Sequence, residues 1–227
     1  VIIGMHHDQD IRNMGGIRKY MPWTYWTSLV GSLALIGFPG FSGFFSKDAI
    51  IEAVHYSEIA GSGYAYVLVL VGVFVTALYS FRMFFLVFHG EGPRDEHARK
   101  HLKESPKVVW VPLVLLAIPS VGIGYLTVEG MLFGDWFKGV LHVLPQHDVL
   151  AELGKNVHGA NSMIVHGLMG LPFYLAMGGL VVAWYVYMKK PDLAQEIRTR
   201  LELLYTALDK KYWFDEVYQW VFAQGSR

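Results

Sequence analysis

Long apolar stretches alternate with polar, basic segments along this chain, and the spacing predicts membrane-crossing helices. A bilayer core about 30 Å thick needs ~20 apolar residues in a helix. Four stretches reach that length: about Pro22 to Tyr56, Tyr64 to Phe88, Val108 to Leu126, and about Met163 to Tyr187. Val1–Met5 reads as the tail of an earlier span. The first stretch is too long for one straight crossing, and Pro39, Gly40 and Gly43 interrupt it. Proline cannot donate to a helical ladder and glycine readily leaves it. The break predicts two half-helices of ~15 residues, about 22 Å each at 1.5 Å per residue.

Two further segments are apolar on one side only. Leu132 to Leu144 carries Phe133, Trp136, Phe137, Val140, Leu141 and Leu144, which suits a helix lying on the outer surface. From Pro191, Leu193, Ile197, Leu201, Leu204 and Leu208 share a face opposite Arg198, Arg200 and Glu202. This predicts an amphipathic helix, folded either against its own protein or on lipid.

Charge then orients the pattern. Basic residues crowd the segments 8–20, 89–107 and 189–227. The turn 57–63 has none, and the connection 127–162 has Lys138 and Lys155. Cytoplasmic loops carry the excess of Lys and Arg. The alternation therefore fits four crossings with 8–20, 89–107 and 189–227 on the cytoplasmic side. Trp23, Tyr25, Trp26, Trp110, Trp184, Tyr185 and Tyr187 gather at the inner surface, and Tyr56, Tyr64 and Tyr66 at the outer one, as interfacial belts do. Of 19 basic residues, only Lys47 and Arg82 fall inside spans. Arg82 reads as a side chain snorkelling to the inner surface, with pairing to a carboxylate of a neighbouring helix as the alternative.

Composition agrees. Of 227 residues, 53% are apolar and 17% charged, which is membrane-like. The formal charge is zero and no basic patch carries interleaved aromatics, so nothing points to nucleic acid. Cysteine is absent, which excludes disulfides, thiolate metal sites and cysteine nucleophiles. The chain opens on Val1 and closes on Ala223-Gln224-Gly225-Ser226-Arg227 in mid-pattern, so it reads as an internal piece of a longer polypeptide. The expected organisation is the end of a span and a loop over 1–21, a discontinuous helix over 22–58, three more crossings over 64–188, and an inner-side helical segment over 189–227.

The candidate chemistry is centred on Lys47. A charge beside a broken apolar helix is costly in lipid, and such residues commonly serve ions or protons. Asp48 is its nearest partner in sequence. Burial lowers a lysine pKa and a nearby carboxylate raises it, so a lysine held between the two effects can load and release a proton. The plainer reading is a snorkelling lysine or a static ion pair. Lys47, Ile51 and His55 share one face of the second half-helix, and Asp48, Glu52 and His55 its neighbour. The stripe Lys47, Asp48, Glu52, His55 suggests a proton path toward the outer surface, against the alternative of a merely wet helix end. Ser42 and Ser46 can satisfy backbone groups freed by the break. His6 and His7, beside Asp8 and Asp10, read as a solvated cap, with a proton-entry role as the alternative; adjacent histidines diverge on a helix and make a poor metal pair. His142, His147, His158 and His166 lack ligand spacing and read as surface or interface residues. No nucleotide loop, nucleophile elbow or haem or iron–sulfur ligand set occurs, so no cofactor is expected in this chain and no redox chemistry.

Two strings carry a family resemblance. His7-Asp8-Gln9-Asp10-Ile11-Arg12-Asn13-Met14-Gly15-Gly16-Ile17-Arg18, and then Gly37-Phe38-Pro39-Gly40-Phe41-Ser42-Gly43-Phe44-Phe45-Ser46-Lys47-Asp48, resemble the subunit L (chain 5) branch of the antiporter-like subunits of NADH:quinone oxidoreductase, respiratory complex I. Lys210-Lys211-Tyr212-Trp213-Phe214-Asp215-Glu216-Val217-Tyr218 is similar to the segment leading into that subunit's long lateral helix. The resemblance implies an all-α polytopic fold and a C-terminal third less its end. It implies a bacterial inner-membrane subunit of a proton-translocating enzyme, with the other membrane subunits of the complex as partners, above all the adjacent antiporter-like subunit. It makes Lys47 the terminal lysine of a proton channel, with Asp48 adjoining. A cation/proton antiporter large subunit or a membrane-bound hydrogenase shares the broken helix and lysine. A structural clamp formed by 191–208 and the arm after it is the reading of a different class.

Overall fold

The computed structural model describes residues 1–5, 7–92, 102–144, 147–156 and 159–224. His6, His158 and Arg227, and residues 93–101 of the basic segment 89–107, which entered the readings above, lie outside them. The described residues form an all-α polytopic membrane protein. Three helical segments are long and apolar enough to cross a bilayer: Ser62–Phe88, Lys107–Phe133 and Leu171–Lys189. The chain divides into two units, Val1–Trp184 and Tyr185–Arg227.

In the first unit, α1 (Pro22–Ile36) and α2 (Ser42–Tyr56) are the two expected half-helices of 15 residues each. α3 (Ser62–Phe88) follows. At the start of α1 the Tyr25 ring lies 5.3 Å from Phe84 and 5.5 Å from Phe88, near the end of α3. At the end of α2 the His55 ring lies 4.7 Å from Tyr66, near the start of α3. The two half-helices together therefore run antiparallel to α3 along its full length, and count as one crossing. α4 (Lys107–Val128) runs parallel to them. Trp110 stacks on Trp23 at 4.9 Å at one end, and Tyr125 meets Phe45 at 6.5 Å toward the other.

α1 begins on Pro22, whose missing N–H costs nothing in a first turn. Its next two amides, of Trp23 and Thr24, donate to Glu104 Oε2 at 2.8 and 3.4 Å, and Thr24 Oγ1 donates to Glu104 Oε1 at 2.7 Å. A carboxylate from just before α4 thus caps a helix eighty residues earlier, where the helix dipole favours negative charge.

Two expectations need correction. No helix covers Leu132 to Leu144. A wide turn, Glu129–Phe133, extends α4, and the chain then turns repeatedly, with Gly139 left-handed at φ 80°. Gly134 and Gly139 interrupt the apolar pattern, and Trp136, Val140 and Leu141 stay exposed, so no packing drives helix formation there. A short α5 (Val149–Asn156) stands later in the same connection. The fourth stretch is also not one straight helix. It divides into α6 (Gly159–Met169) and α7 (Leu171–Trp184). Pro172 has no N–H to continue the α6 ladder, and turn bonds Gly170 N to Gly167 O (3.1 Å) and Phe173 N to Gly170 O (3.2 Å) close the junction. α7 packs on α3 where Gly179 lets the backbones meet; a Cβ there would stand 2.9 Å from the Ala77 methyl and 3.1 Å from the Leu78 nitrogen.

The segment 8–20 is held by turns. Asp8 accepts from the Asp10 amide and from Asn13 Nδ2, and Asp10 accepts from the Arg12 amide and guanidinium. Gly16 N donates to His89 O at 2.8 Å, and a Cβ on Gly16 would lie 2.9 Å from Gly92 Cα. Arg18 Nη1 sits 3.3 Å from His89 Nδ1; with Arg18 donating, the ring proton is on Nε2, which is buried without a partner among the described residues. Burial, then the Arg18 charge, pushes the His89 pKa below its ordinary 6.5. The unfolded chain therefore takes up the proton first as pH falls, so this junction's contribution is present above 6.5 and lost below it. Exchange protection of the Gly16 amide, corrected for intrinsic exchange, should fall with pH through that range. It should be flat in His89→Gln; a pH-independent native protein would contradict this assignment.

In the second unit, the amphipathic segment is two helices, α8 (Pro191–Arg200) and α9 (Glu202–Asp209), hinged at Leu201. The Arg198 guanidinium lies 4.3 Å over the Tyr205 ring across the hinge. Ile197, Leu201, Leu204 and Leu208 are exposed. Lys211, Tyr212 and Trp213 are left-handed (φ 47°, 57° and 58°), which separates α9 from the short α10 (Phe214–Tyr218).

Candidate functional site at two helix breaks

The α1–α2 break follows from where the carbonyls of the last α1 turn find donors. A helix end leaves four C=O groups unbonded. Gly37 is left-handed (φ 74°) and closes α1 with two reversed bonds, Phe38 N to Leu33 O at 3.0 Å and Gly37 N to Ala34 O at 3.2 Å. Leu35 O is next, and it accepts from Lys47 Nζ at 2.9 Å. The ammonium therefore sits on the negative end of the α1 dipole, where a cation is stabilised. Lys47 lies in the second turn of α2, and its hydrogen bond is to the broken helix end and not to Asp48, its nearest partner in sequence. Adjacent helical residues point about 100° apart, which takes Asp48 to a different face.

Glycines permit this geometry. A Cβ on Gly43 would overlap Ala34 O and lie 2.8 Å from Ala34 C, so the start of α2 touches the backbone of α1. A Cβ on Gly37 would stand 3.2 Å from Lys47 Cδ, against the lysine stem. Ser46 Oγ donates to Gly43 O at 3.3 Å, as expected of a serine near a break. The start of α2 also packs on α4, where a Cβ on Gly124 would stand 2.7 Å from Ser42 Cα.

Asp48 is 8% exposed, and no hydrogen bond or ion pair reaches its carboxylate among the described residues. It lines a cavity of about 20 Å³ with Lys47, Gly37, Gly167, Pro172 and Phe173. That volume holds about one water. The α6–α7 break therefore faces the α1–α2 break across this cavity. A Cβ on Gly167 would overlap the Phe44 ring and lie 3.7 Å from Asp48 Oδ1. On its other flank Lys47 lines a wider, open groove with Leu35, Ser46, Ile50 and Val69.

Of the other candidates, Glu52 is half-buried one turn further along α2 from Asp48. His55 is exposed against Tyr66. Arg82 is exposed on α3, and His142 and His147 are exposed in the connection between α4 and α5. Among the described residues no three His, Asp or Glu side chains gather as a metal site would require. The second break was readable in principle: Gly170-Leu171-Pro172 interrupts the fourth stretch as Pro39-Gly40 interrupts the first.

Residues 1–89 match a family model described as NADH:quinone oxidoreductase/Mrp antiporter, transmembrane. The chain is 47% identical over its whole length to NADH-quinone oxidoreductase subunit L of Neisseria meningitidis serogroup B, of which the match covers 36%. It is 30% identical, again over its whole length, to subunit L of Rhodobacter capsulatus, covering 40% of that protein. It is 33% identical over 96% of its length to NADH-ubiquinone oxidoreductase chain 5 of Marchantia polymorpha, covering 32% of that protein. The chain thus spans roughly a third of the length of the curated relatives it matches.

Proposed function

Because this chain belongs to the family of NADH-quinone oxidoreductase subunit L and chain 5, we propose that it forms part of a proton-translocating membrane subunit of that enzyme. Its partners are the other membrane subunits of the complex, the adjacent antiporter-like subunit first among them, and the lipid around them. It lies in the bacterial inner membrane with 8–20, 89–107 and 189–227 on the cytoplasmic side. NADH oxidation and quinone reduction take place in other chains; this one moves protons.

The observation that carries the reading is the Lys47 ammonium resting on Leu35 O at a helix break, beside a buried carboxylate. The helix end stabilises the charged lysine, and the apolar surroundings favour the neutral one. A modest change in the charge facing Lys47 then decides whether it holds a proton. Asp48 receives what Lys47 releases through the cavity between them, and Glu52 and His55 continue the path along α2. The open groove on the other flank of Lys47 leaves it accessible to a charged group from elsewhere in the complex.

Lys47→Met in the complete subunit tests this. The complex should assemble and transfer electrons, and the protons moved per electron should fall. A native ratio in that variant would refute the reading.

A further inference from the structure

We infer that the groove between α1 and α4 holds one acyl chain of an anionic phospholipid, with its headgroup at Lys103 and Lys107. The site lies apart from the Lys47 relay and does not depend on it.

The two walls of the groove meet at both ends and part in between. At one end the Trp23 and Trp110 rings stack at 4.9 Å. At the other, α4 packs on the start of α2, where a Cβ on Gly124 would stand 2.7 Å from Ser42 Cα. Between these contacts runs a groove of about 200 Å³ lined by Thr27, Ser28, Gly31, Leu113, Ala117 and Ser120. Small residues hold it open, and a Cβ on Gly31 would meet nothing within 4 Å. Two of its hydroxyls are turned back onto their own helices: Thr27 Oγ1 donates to Trp23 O at 2.9 Å, and Ser120 Oγ to Leu116 O at 2.9 Å. The groove therefore offers mainly carbon to whatever enters it.

Its length selects the occupant. At ~1.5 Å per residue, Trp23 to Gly31 spans about 12 Å and Trp110 to Ser120 about 15 Å. One leaflet of a bilayer core about 30 Å thick is about 15 Å deep. Tryptophans gather at the membrane–water interface, so the stacked pair marks the headgroup level and the groove ends near the bilayer middle. The contact of Gly124 with Ser42 closes it there. A membrane-crossing helix, about 10–12 Å across, would have to continue through that contact. An acyl chain of one leaflet stops where the groove stops.

Charge at the mouth selects the headgroup. Glu104, bonded to the Trp23 and Thr24 amides, holds the segment before α4 against the start of α1. Its carboxylate is taken up by those amides. Lys103 and Lys107 stand on either side of it, exposed and without an ion pair among the described residues. Lys107 lies one turn before Trp110 on α4. Lysines at this level attract anionic lipid.

The test uses the assembled complex, purified in detergent and given phosphatidylglycerol with a photoreactive diazirine in its acyl chain. Adducts should concentrate on Thr27, Ser28, Leu113 and Ala117 over Leu115 and Ile118, which are exposed on α4 and do not line the groove. Gly31→Leu fills the groove and should abolish that preference; leucine is a better helix former than glycine, so α1 should persist. Phosphatidylglycerol should be preferred to the same label on phosphatidylcholine by roughly tenfold, and Lys103→Gln with Lys107→Gln should bring that ratio to about one. Equal labelling of both sets of residues in the native complex, or groove labelling that survives Gly31→Leu, would overturn the site. Equal labelling by the two lipids would overturn the headgroup assignment. A groove that takes no lipid, while a photoreactive residue at position 31 crosslinks to a protein segment, would show a helix there and end the proposal. If Gly31→Leu does not assemble, Ala117→Leu fills the groove from α4 and is read in the same way.

Discussion

Lys47→Arg is expected to lose proton translocation as fully as Lys47→Met, although it keeps the charge. Arginine reproduces everything static about Lys47: a cation, several N–H donors, and a side chain long enough to reach Leu35 O, 2.9 Å from the native ammonium. It also completes the carbonyl accounting at the end of α1, where Leu33 O and Ala34 O are already bonded to Phe38 N and Gly37 N. What it cannot do is release a proton, because the guanidinium stays charged in proteins. A purely structural lysine would therefore be replaced by arginine with little change in either stability or pumping. A relay lysine would give a complex that assembles, transfers electrons and pumps like the Met variant. The measurement is the proton-to-electron ratio in vesicles, with thermal unfolding of the purified complex as the control for structure. Full pumping with arginine would reduce Lys47 to a helix cap.

Gly43→Ala is expected to be the most damaging small substitution in the chain. The new methyl would overlap Ala34 O and stand 2.8 Å from Ala34 C. Both are backbone atoms in the last turn of α1, so no side-chain rotation relieves the collision. An ordinary carbon–oxygen contact is about 3.3 Å or more, so the half-helices must move apart by more than an ångström. Overpacking of this kind costs ~1–3 kcal/mol or more. The separation also carries Lys47, one turn along α2, away from Leu35 O. Both a lower unfolding temperature and reduced pumping should follow. Gly72→Ala on α3 is the control, since a Cβ there meets nothing within 4 Å. A Gly43→Ala protein that melts and pumps like the Gly72→Ala one would show that the half-helices do not need their backbone contact.

Local order was legible wherever a single residue type imposes it. Pro22 and Gly37 bound α1, and Pro39, Gly40 and Gly43 separate it from α2, so both half-helices were readable to within a residue or two. The other spans were readable from length and apolarity. The fourth reads as a single stretch because its apolar run continues through Gly170-Leu171-Pro172 without a charge to draw notice. The opposite error occurred at Leu132 to Leu144, where an apolar face was present and nothing packs against it to hold a helix.

The sequence by itself determined that this chain crosses a membrane, where its first apolar stretch breaks, and that Lys47 is the charged residue at that break. These are properties of neighbouring residues: backbone freedom, missing donors and apolar length. Only the tertiary structure decided what Lys47 and Asp48 face. Leu35 O comes from the preceding half-helix, Glu104 caps α1 from across the bundle, and Gly167 comes to Asp48 from more than a hundred residues away. A hydrophobic pattern states which side of a helix is buried, but not which carbonyl, carboxylate or imidazole the fold brings against it.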